Sequence, residues 1–183
     1  MLMILSKTTK LMDAAKFMKT FIVKSSKESQ EGEPIDTEPF KLSTSTDNQP
    51  SMFEIVFIHK EDMFRYGFEV NKEVIVGEWL YHRSNKKEVE IFYREGQNFE
   101  LHSSFKIGNF FVKENMIRSN ALMLSVAAQF NDDLAKKIFE WFRKFRHLSG
   151  LREEEYMGYS LHKASEKTGK KKILEWLKYC LIS

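Results

Sequence analysis

Cysteine is almost absent from this chain. Cys180 is the only one in 183 residues, so an internal disulfide is excluded and the composition suits a reducing compartment. No histidine is near Cys180 in sequence, which favours a small buried side chain over a nucleophile. The five histidines are also far apart and show no metal-ligand spacing, so we expect no metal site.

Long apolar runs and proline are scarce as well. The stretch from Met1 to Leu5 is apolar but ends before Lys7, shorter than the roughly 7–15 residues of a signal-peptide core. We therefore expect a cytoplasmic protein with no membrane partner. All three prolines lie between residues 34 and 50, which predicts a polar linker over residues 26–50 with a short extended piece at Phe40–Leu42.

Charge is present but uneven. Residues 134–183 hold 12 Lys and Arg against 6 Asp and Glu, whereas residues 1–133 hold 17 against 20. A basic helical end can contact nucleic acid or an acidic partner, although it can equally be a solvated helix face. The candidate contact residues are Arg143, Lys144, Arg146, Lys170, Lys171 and Lys172.

Hydrophobic periodicity predicts an α+β fold, with an N-terminal helix, an antiparallel β meander and C-terminal helices. We expect a helix over residues 8–25 capped by Thr8 or Thr9, then hairpins in series over residues 52–103. Later helices are expected at "SNALMLSVAAQF", capped by Ser119, and at "NDDLAKKIFEWFRKFRHL", capped by Asn131 and ended by Gly150. A final helix is expected at "KKKILEWLKYCLI".

The predicted strands are rich in aromatic residues. Phe64, Tyr66 and Phe68 alternate with polar residues and share a face with Val70. Aromatic side chains on a sheet beside arginines can stack nucleic-acid bases, but this face reads more readily as core. Gly67 and Gly77 inside strands indicate bulges or close backbone approach.

The start of the chain, "MLMILSKT", partly matches the phosphate-binding loop pattern, although by itself such a short match is also what chance or an ordinary helix start would give. Lys7 and Thr8 occupy the positions of the Lys and Ser/Thr in G-x-x-x-x-G-K-[ST], but Met1 and Ser6 stand where the glycines belong. Because the glycines let backbone N–H groups point at the phosphates, this site is degenerate. Lys7 and Thr8 are the candidate nucleotide-binding residues, and we identify no catalytic residue.

Several segments in this order resemble one family. They are "AAKFMKTFIVKSS", "EPFKL", the "YGFEV" and "EWLY" strands at Tyr66–Val70 and Glu78–Tyr81, and helices containing Leu124–Asn131 and Trp141–Phe142. Over roughly residues 9–178 the chain resembles the ABC-like AAA-family ATPases related to overcoming-lysogenization-defect and abortive-infection proteins, a family linked to phage defence. The resemblance implies a P-loop-helix remnant at 1–25, the linker at 26–50, a β insertion at 51–106 and a helical region at 107–183, together forming one compact unit.

The resemblance also implies ATP and Mg²⁺ as cofactors of the intact family. The signature motif and the Walker B carboxylates have no counterpart in these 183 residues, so we expect a truncated or split member without ATPase activity alone. Its partner would be the rest of a split ATPase or a second copy, since exposed apolar stripes are expected on helices 8–25 and 168–182. The alternative is a binding module that uses the sheet and the basic helices to engage nucleic acid or protein.

Overall fold

The fold is given by a computed structural model. It describes residues 2–26, 32–35, 50–84, 87–145, 153–166, 168–172 and 174–175. The predicted extended piece at Phe40–Leu42, Gly150 and Cys180 lie outside these residues. The contacts divide the chain into two compact units, Met1–Phe145 and Arg146–Ser183, which are described separately below.

The first unit begins with helix α1, Leu2–Lys24. Thr8 and Thr9 lie inside this helix, so the predicted cap at either residue is wrong. The apolar stripe of α1 was expected to be exposed, but this prediction is wrong. Met18 and Ile22 of the stripe are buried in the main core. The helix therefore contributes an inner face to the fold.

An antiparallel sheet of five strands follows, and its spatial order equals its chain order. This arrangement confirms the predicted meander, because short turns join neighbours in an antiparallel sheet. Register shifts interrupt the pairing at Glu69/Val70 and at Leu80/Tyr81. The strands are β1 (Ser51–His59), β2 (Asp62–Val70), β3 (Ile75–Arg83), β4 (Val89–Glu95) and β5 (Asn98–Leu101).

One face of the sheet is the core, as the alternation predicted. Phe64, Tyr66 and Phe68 are completely buried, so the interpretation of this aromatic row as core is confirmed. On the opposite face Gly67 allows the Trp79 ring to lie against the backbone, since an added Cβ would be 2.5 Å from Trp79 Cζ2. Gly67 thus marks a close approach, whereas a Cβ at Gly77 would meet only ordinary contacts from 3.6 Å.

Three helices complete the first unit: α2 (Lys106–Lys113), α3 (Met123–Gln129) and α4 (Asp133–Lys144). The sequence analysis did not separate α2 from the end of the sheet. The cap of α4 is Asp132, whose side chain accepts a hydrogen bond from the Ala135 N–H at 2.9 Å. The predicted cap at Asn131 is therefore wrong by one residue, and Asn131 instead adopts a positive φ of 67°.

The second unit contains helix α5, Glu153–Ser165. Helical backbone is also described at residues 168–172 and 174–175, within the predicted final helix. Met157, Leu161 and Leu174 are exposed apolar residues of this unit. Within the described ranges, no helix combines the length and hydropathy needed to cross a bilayer.

Candidate functional site

The degenerate nucleotide-binding residues lie on α1. Because the helix begins at Leu2, Lys7 and Thr8 occupy its second turn. Backbone N–H groups beyond the first turn of a helix bond to carbonyls one turn earlier, so those of Lys7 and Thr8 are engaged within the helix. Their side chains lie outside the described part of the structure.

The basic candidate residues fall in both units. Arg143 and Lys144 are exposed in the last turn of α4. Lys170, Lys171 and Lys172 are exposed on helical backbone of the second unit, and Arg146 lies outside the described residues. Among the described residues, the basic candidates thus lie in two stretches of the chain, one in each unit.

A buried charged cluster, not predicted from the sequence, lies on the inner face of the sheet. Glu78 on β3 and Arg94 on β4 are register partners, and both are completely buried. The Arg94 Nη1 atom lies 3.7 Å from the Glu78 Oε2 atom. Buried charges of this kind are costly unless their remaining donors and acceptors are also satisfied.

Glu78 is satisfied by three donors. Its Oε1 accepts hydrogen bonds from the Tyr66 hydroxyl at 2.9 Å and from the Leu124 N–H at 3.0 Å. Its Oε2 accepts one from the Met123 N–H at 2.7 Å. Since Met123 and Leu124 form the first turn of α3, the carboxylate occupies free N–H groups at the start of that helix.

This arrangement corrects the predicted capping of α3. The residue at the cap position is Leu122, which makes no side-chain cap bond, so the cap predicted at Ser119 is wrong. The acceptor is instead Glu78, which lies 45 residues earlier in the chain from Met123. A capping rule that searches only the preceding residues cannot find a cap supplied by a neighbouring strand.

Arg94 holds the loop that leads into α3. Its Nη1 donates to the Ala121 carbonyl at 2.7 Å, and its Nη2 donates to the Arg118 carbonyl at 3.1 Å. Its Nε donates to the Gly96 carbonyl at 2.7 Å, which fixes the β4–β5 turn. The guanidinium therefore links the sheet to the segment that positions α3.

Burial shifts the pKa values of all three ionisable members. It raises the pKa of the Glu78 carboxyl, against the opposing effects of Arg94 and the two α3 N–H groups. It lowers the pKa of Arg94 and raises that of the Tyr66 hydroxyl well above its ordinary value. The donors and acceptors of this cluster are occupied by groups of the protein, so the cluster joins the sheet to α3.

A sequence signal for this cluster was present. Glu78 precedes Leu80 by two residues, and Arg94 follows Phe92 by two, so alternation places each charge on a core-facing position. Opposite charges at core positions of neighbouring strands predict a buried pair. The contact of Glu78 with the N–H groups of Met123 and Leu124 could not be predicted from the sequence, because it depends on how α3 packs against the sheet.

The outer face of the sheet carries two further aromatic side chains, Trp79 and Tyr81, beside polar and charged residues. The Arg65 guanidinium lies 4.0 Å from the centre of the Tyr81 ring, and Arg65 Nη2 donates to Glu88 Oε2 at 2.8 Å. Trp79 Nε1 donates to Glu54 Oε2 at 2.7 Å. Burial raises the pKa of Tyr81 to about 12, so its hydroxyl stays neutral. These rings are engaged by side chains of the same face.

The histidines show no metal geometry in the described chain. His82 Nε2 lies 3.0 Å from Asp62 Oδ1, and its ring stacks on Phe64. His102 Nδ1 is 2.8 Å from the Ser104 hydroxyl. No group of three His, Cys, Asp or Glu residues capable of holding a metal ion occurs among the described residues.

Comparison with known proteins adds no relative to these observations. No family model matches the chain, and neither a curated protein nor a solved structure matches it significantly.

Proposed function

We propose that this chain is a truncated or split member of the ABC-like AAA-family ATPases and does not hydrolyse ATP by itself. In this proposal it is a cytoplasmic protein that supplies the helix after the P-loop, the β insertion and the helices that follow. ATP and Mg²⁺ are cofactors of the intact family only. The rest of the ATPase would come from another chain.

The position of Lys7 and Thr8 within α1 is the observation that supports the proposed lack of ATPase activity. A phosphate cradle needs several consecutive N–H groups that point into one concave loop, which glycine makes sterically possible. Here the helix already extends from Leu2 through both residues, so their N–H groups are used in helical bonds. These residues therefore do not fit the phosphates of ATP, and no step of phosphoryl transfer is assigned to them.

The buried cluster joins the segments on which the proposed family assignment rests. Tyr66 is the first residue of the "YGFEV" segment in β2, Glu78 is the first of the "EWLY" segment in β3, and Leu124 lies in the first turn of α3. These three segments carry the resemblance. Hydrogen bonds at Glu78 join these three residues. Segments far apart in sequence thus meet at one charged centre of the first unit.

Equilibrium dialysis with radiolabelled ATP and Mg²⁺ tests the proposal. We expect no saturable ATP binding to the full chain, and the Lys7→Ala variant should bind the same amount of ATP at each concentration. Saturable, Mg²⁺-dependent binding that Lys7→Ala removes would contradict the proposal. Lys10→Ala is a matched control, because Lys10 lies on the same helix outside the P-loop pattern.

A second candidate function is binding of nucleic acid or an acidic partner. The exposed Arg143 and Lys144 on α4, and Lys170–Lys172 in the second unit, favour it. Each phosphate neutralised should contribute about −0.7 to −0.9 to the slope of log affinity against log salt. Replacing Lys170, Lys171 and Lys172 by Gln should flatten that slope. Absence of DNA or RNA binding at low salt would exclude this function.

A further inference from the structure

Strand β1 is one of the two edge strands of the sheet. It pairs with β2 on one side, and no described residue pairs with its other side. His59 and Asp62 are partners across a two-residue turn, so they exchange both backbone hydrogen bonds. Because such pairs alternate along an antiparallel ladder, the backbone groups of the even-numbered residues 52–58 point towards the open edge.

Features that usually protect an edge strand are scarce in β1. Natural sheets use short edges, bulges, prolines and repeated charges to prevent pairing with another chain. β1 has nine residues, an unbroken register with β2, no proline and Glu54 as its only acidic or basic residue apart from His59. By contrast, the opposite edge strand β5 has four residues.

Three of the four outer-face side chains of β1 are apolar and exposed, the fourth being Glu54. The exposed fractions of Met52, Val56 and Ile58 are 63%, 51% and 68%. Their backbone groups are the ones that point towards the open edge. An incoming strand would therefore gain ladder hydrogen bonds and apolar contacts from the same residues.

The sequence of β1 is complementary to itself. Antiparallel pairing of two copies about Ile55 uses all nine residues and keeps the edge-facing residues opposite one another. Met52 then faces Ile58 of the second copy, Phe53 faces Phe57, and Ile55 faces its own equivalent. Phe53 and Ile55 are only partly buried in one copy, so both faces of the sheet gain apolar pairs.

Other symmetric registers are poorer. Sliding the copies so that Glu54 faces Glu54 places like charges directly opposite, which is destabilising. Sliding the other way pairs Val56 with Val56 but shortens the overlap. In the register about Ile55, Glu54 faces Val56 of the second copy, while Trp79 and Arg65 of its own chain remain 2.7 Å and 3.8 Å away.

We propose that β1 is a homodimerisation edge, at which two copies pair antiparallel about Ile55 to form a continuous ten-stranded sheet. The dimer is isologous, as two-fold symmetry requires. It leaves the Glu78–Arg94 cluster intact in each copy. This inference does not depend on nucleotide binding or on the family of the chain.

Opposite charges at Val56 test the register. The proposed dimer contains two symmetry-related pairs in which residue 56 of one copy faces Glu54 of the other. Val56→Glu should therefore repel the second copy, and Val56→Lys should attract it. Both variants lose the same apolar contact, so the charge alone distinguishes them. Within one chain residue 56 pairs with Arg65, so Val56→Glu is not expected to harm the fold, whereas Val56→Lys places like charges opposite each other. Circular dichroism would verify that both variants keep the fold before their dimerisation is compared.

Sedimentation velocity over a wide concentration range gives the readout. We expect a concentration-dependent dimer of the full chain, with Val56→Glu dissociating at least about tenfold more readily than Val56→Lys. A monomer at every concentration would overturn the proposal. A dimer that responds equally to both variants would overturn it too, since the contact would then lie elsewhere.

Disulfide trapping provides a second readout. In a Cys180→Ser background, Ile55→Cys places two thiols opposite each other at the symmetry axis, within the Cα separation that a disulfide needs. Mild oxidation should then give a covalent dimer on a non-reducing gel. Val56→Cys is the matched control, because the two residues 56 are offset by two positions, and it should crosslink far less. Equal crosslinking of both would contradict the register.

Discussion

Glu78→Ala is expected to destabilise the first unit severely. Removing the carboxylate leaves three buried donors without an acceptor: the Tyr66 hydroxyl and the N–H groups of Met123 and Leu124. It also leaves the Arg94 charge without its counter-ion. The variant therefore combines unsatisfied buried groups with an uncompensated buried charge.

The magnitude follows from these losses. Breaking a buried ion pair by removing one partner costs about 3–5 kcal/mol, and a buried donor without an acceptor costs about 1–3 kcal/mol. Because the groups share one acceptor and relax together, the costs do not add. We expect the free energy of unfolding to fall by about 4 kcal/mol, a large part of the roughly 5–15 kcal/mol that holds a native domain together.

Urea denaturation followed by circular dichroism measures this loss. Glu100→Ala is the matched control, because Glu100 is an exposed glutamate on β5, and its effect should stay within about 0.5 kcal/mol. Glu78→Gln keeps one acceptor oxygen and should lie between the control and Glu78→Ala. A loss below about 1 kcal/mol for Glu78→Ala would refute the reasoning that the cluster joins sheet to helix.

The remaining predictions concern titration, packing and capping. Burial raises the pKa of the Glu78 carboxyl in the folded state above its ordinary 4.5, so the folded state binds this proton more tightly than the unfolded state. As pH falls from the folded pKa to 4.5, the free energy of unfolding of the wild type should therefore rise relative to that of Glu78→Gln. A difference that shrinks on acidification would contradict this. Gly67→Ala should cost about 1–3 kcal/mol by displacing Trp79 and should alter tryptophan fluorescence, whereas the control Gly77→Ala should have a smaller effect; equal losses would be evidence against the close approach. Asp132→Ala should cost about 1 kcal/mol in thermal unfolding through loss of the α4 cap, and no change in melting would contradict that role.

The sheet could be predicted because its strands and turns depend on residues that are close together in the sequence. Alternation of apolar and polar residues fixed the inner face of β2, and short polar turns fixed the order of the strands. The core positions Phe64, Tyr66 and Phe68 followed from the two-residue period. In α4, Ile138 and Phe142 are four residues apart and both buried, as the helical period of that segment indicates.

The helix starts and the charged centre depend on tertiary contacts. Phe105 and Phe111 belong to the core around α2, yet the eight-residue helix follows the last strand so closely that its period was not separated. The cap of α3 comes from β3, which no local capping rule includes. The predicted exposure of the α1 stripe was wrong because Phe17 and Phe21 pack on Phe68 of the sheet.

Steady-state ATP hydrolysis by the purified full chain tests the central claim most directly. We expect phosphate release with Mg²⁺ and saturating ATP to equal that of the Lys7→Ala variant and of a protein-free blank. Catalysis of phosphoryl transfer requires positioned phosphates and metal ions, and the helical setting of Lys7 supplies no phosphate cradle. Turnover above the blank that Lys7→Ala abolishes would contradict the account.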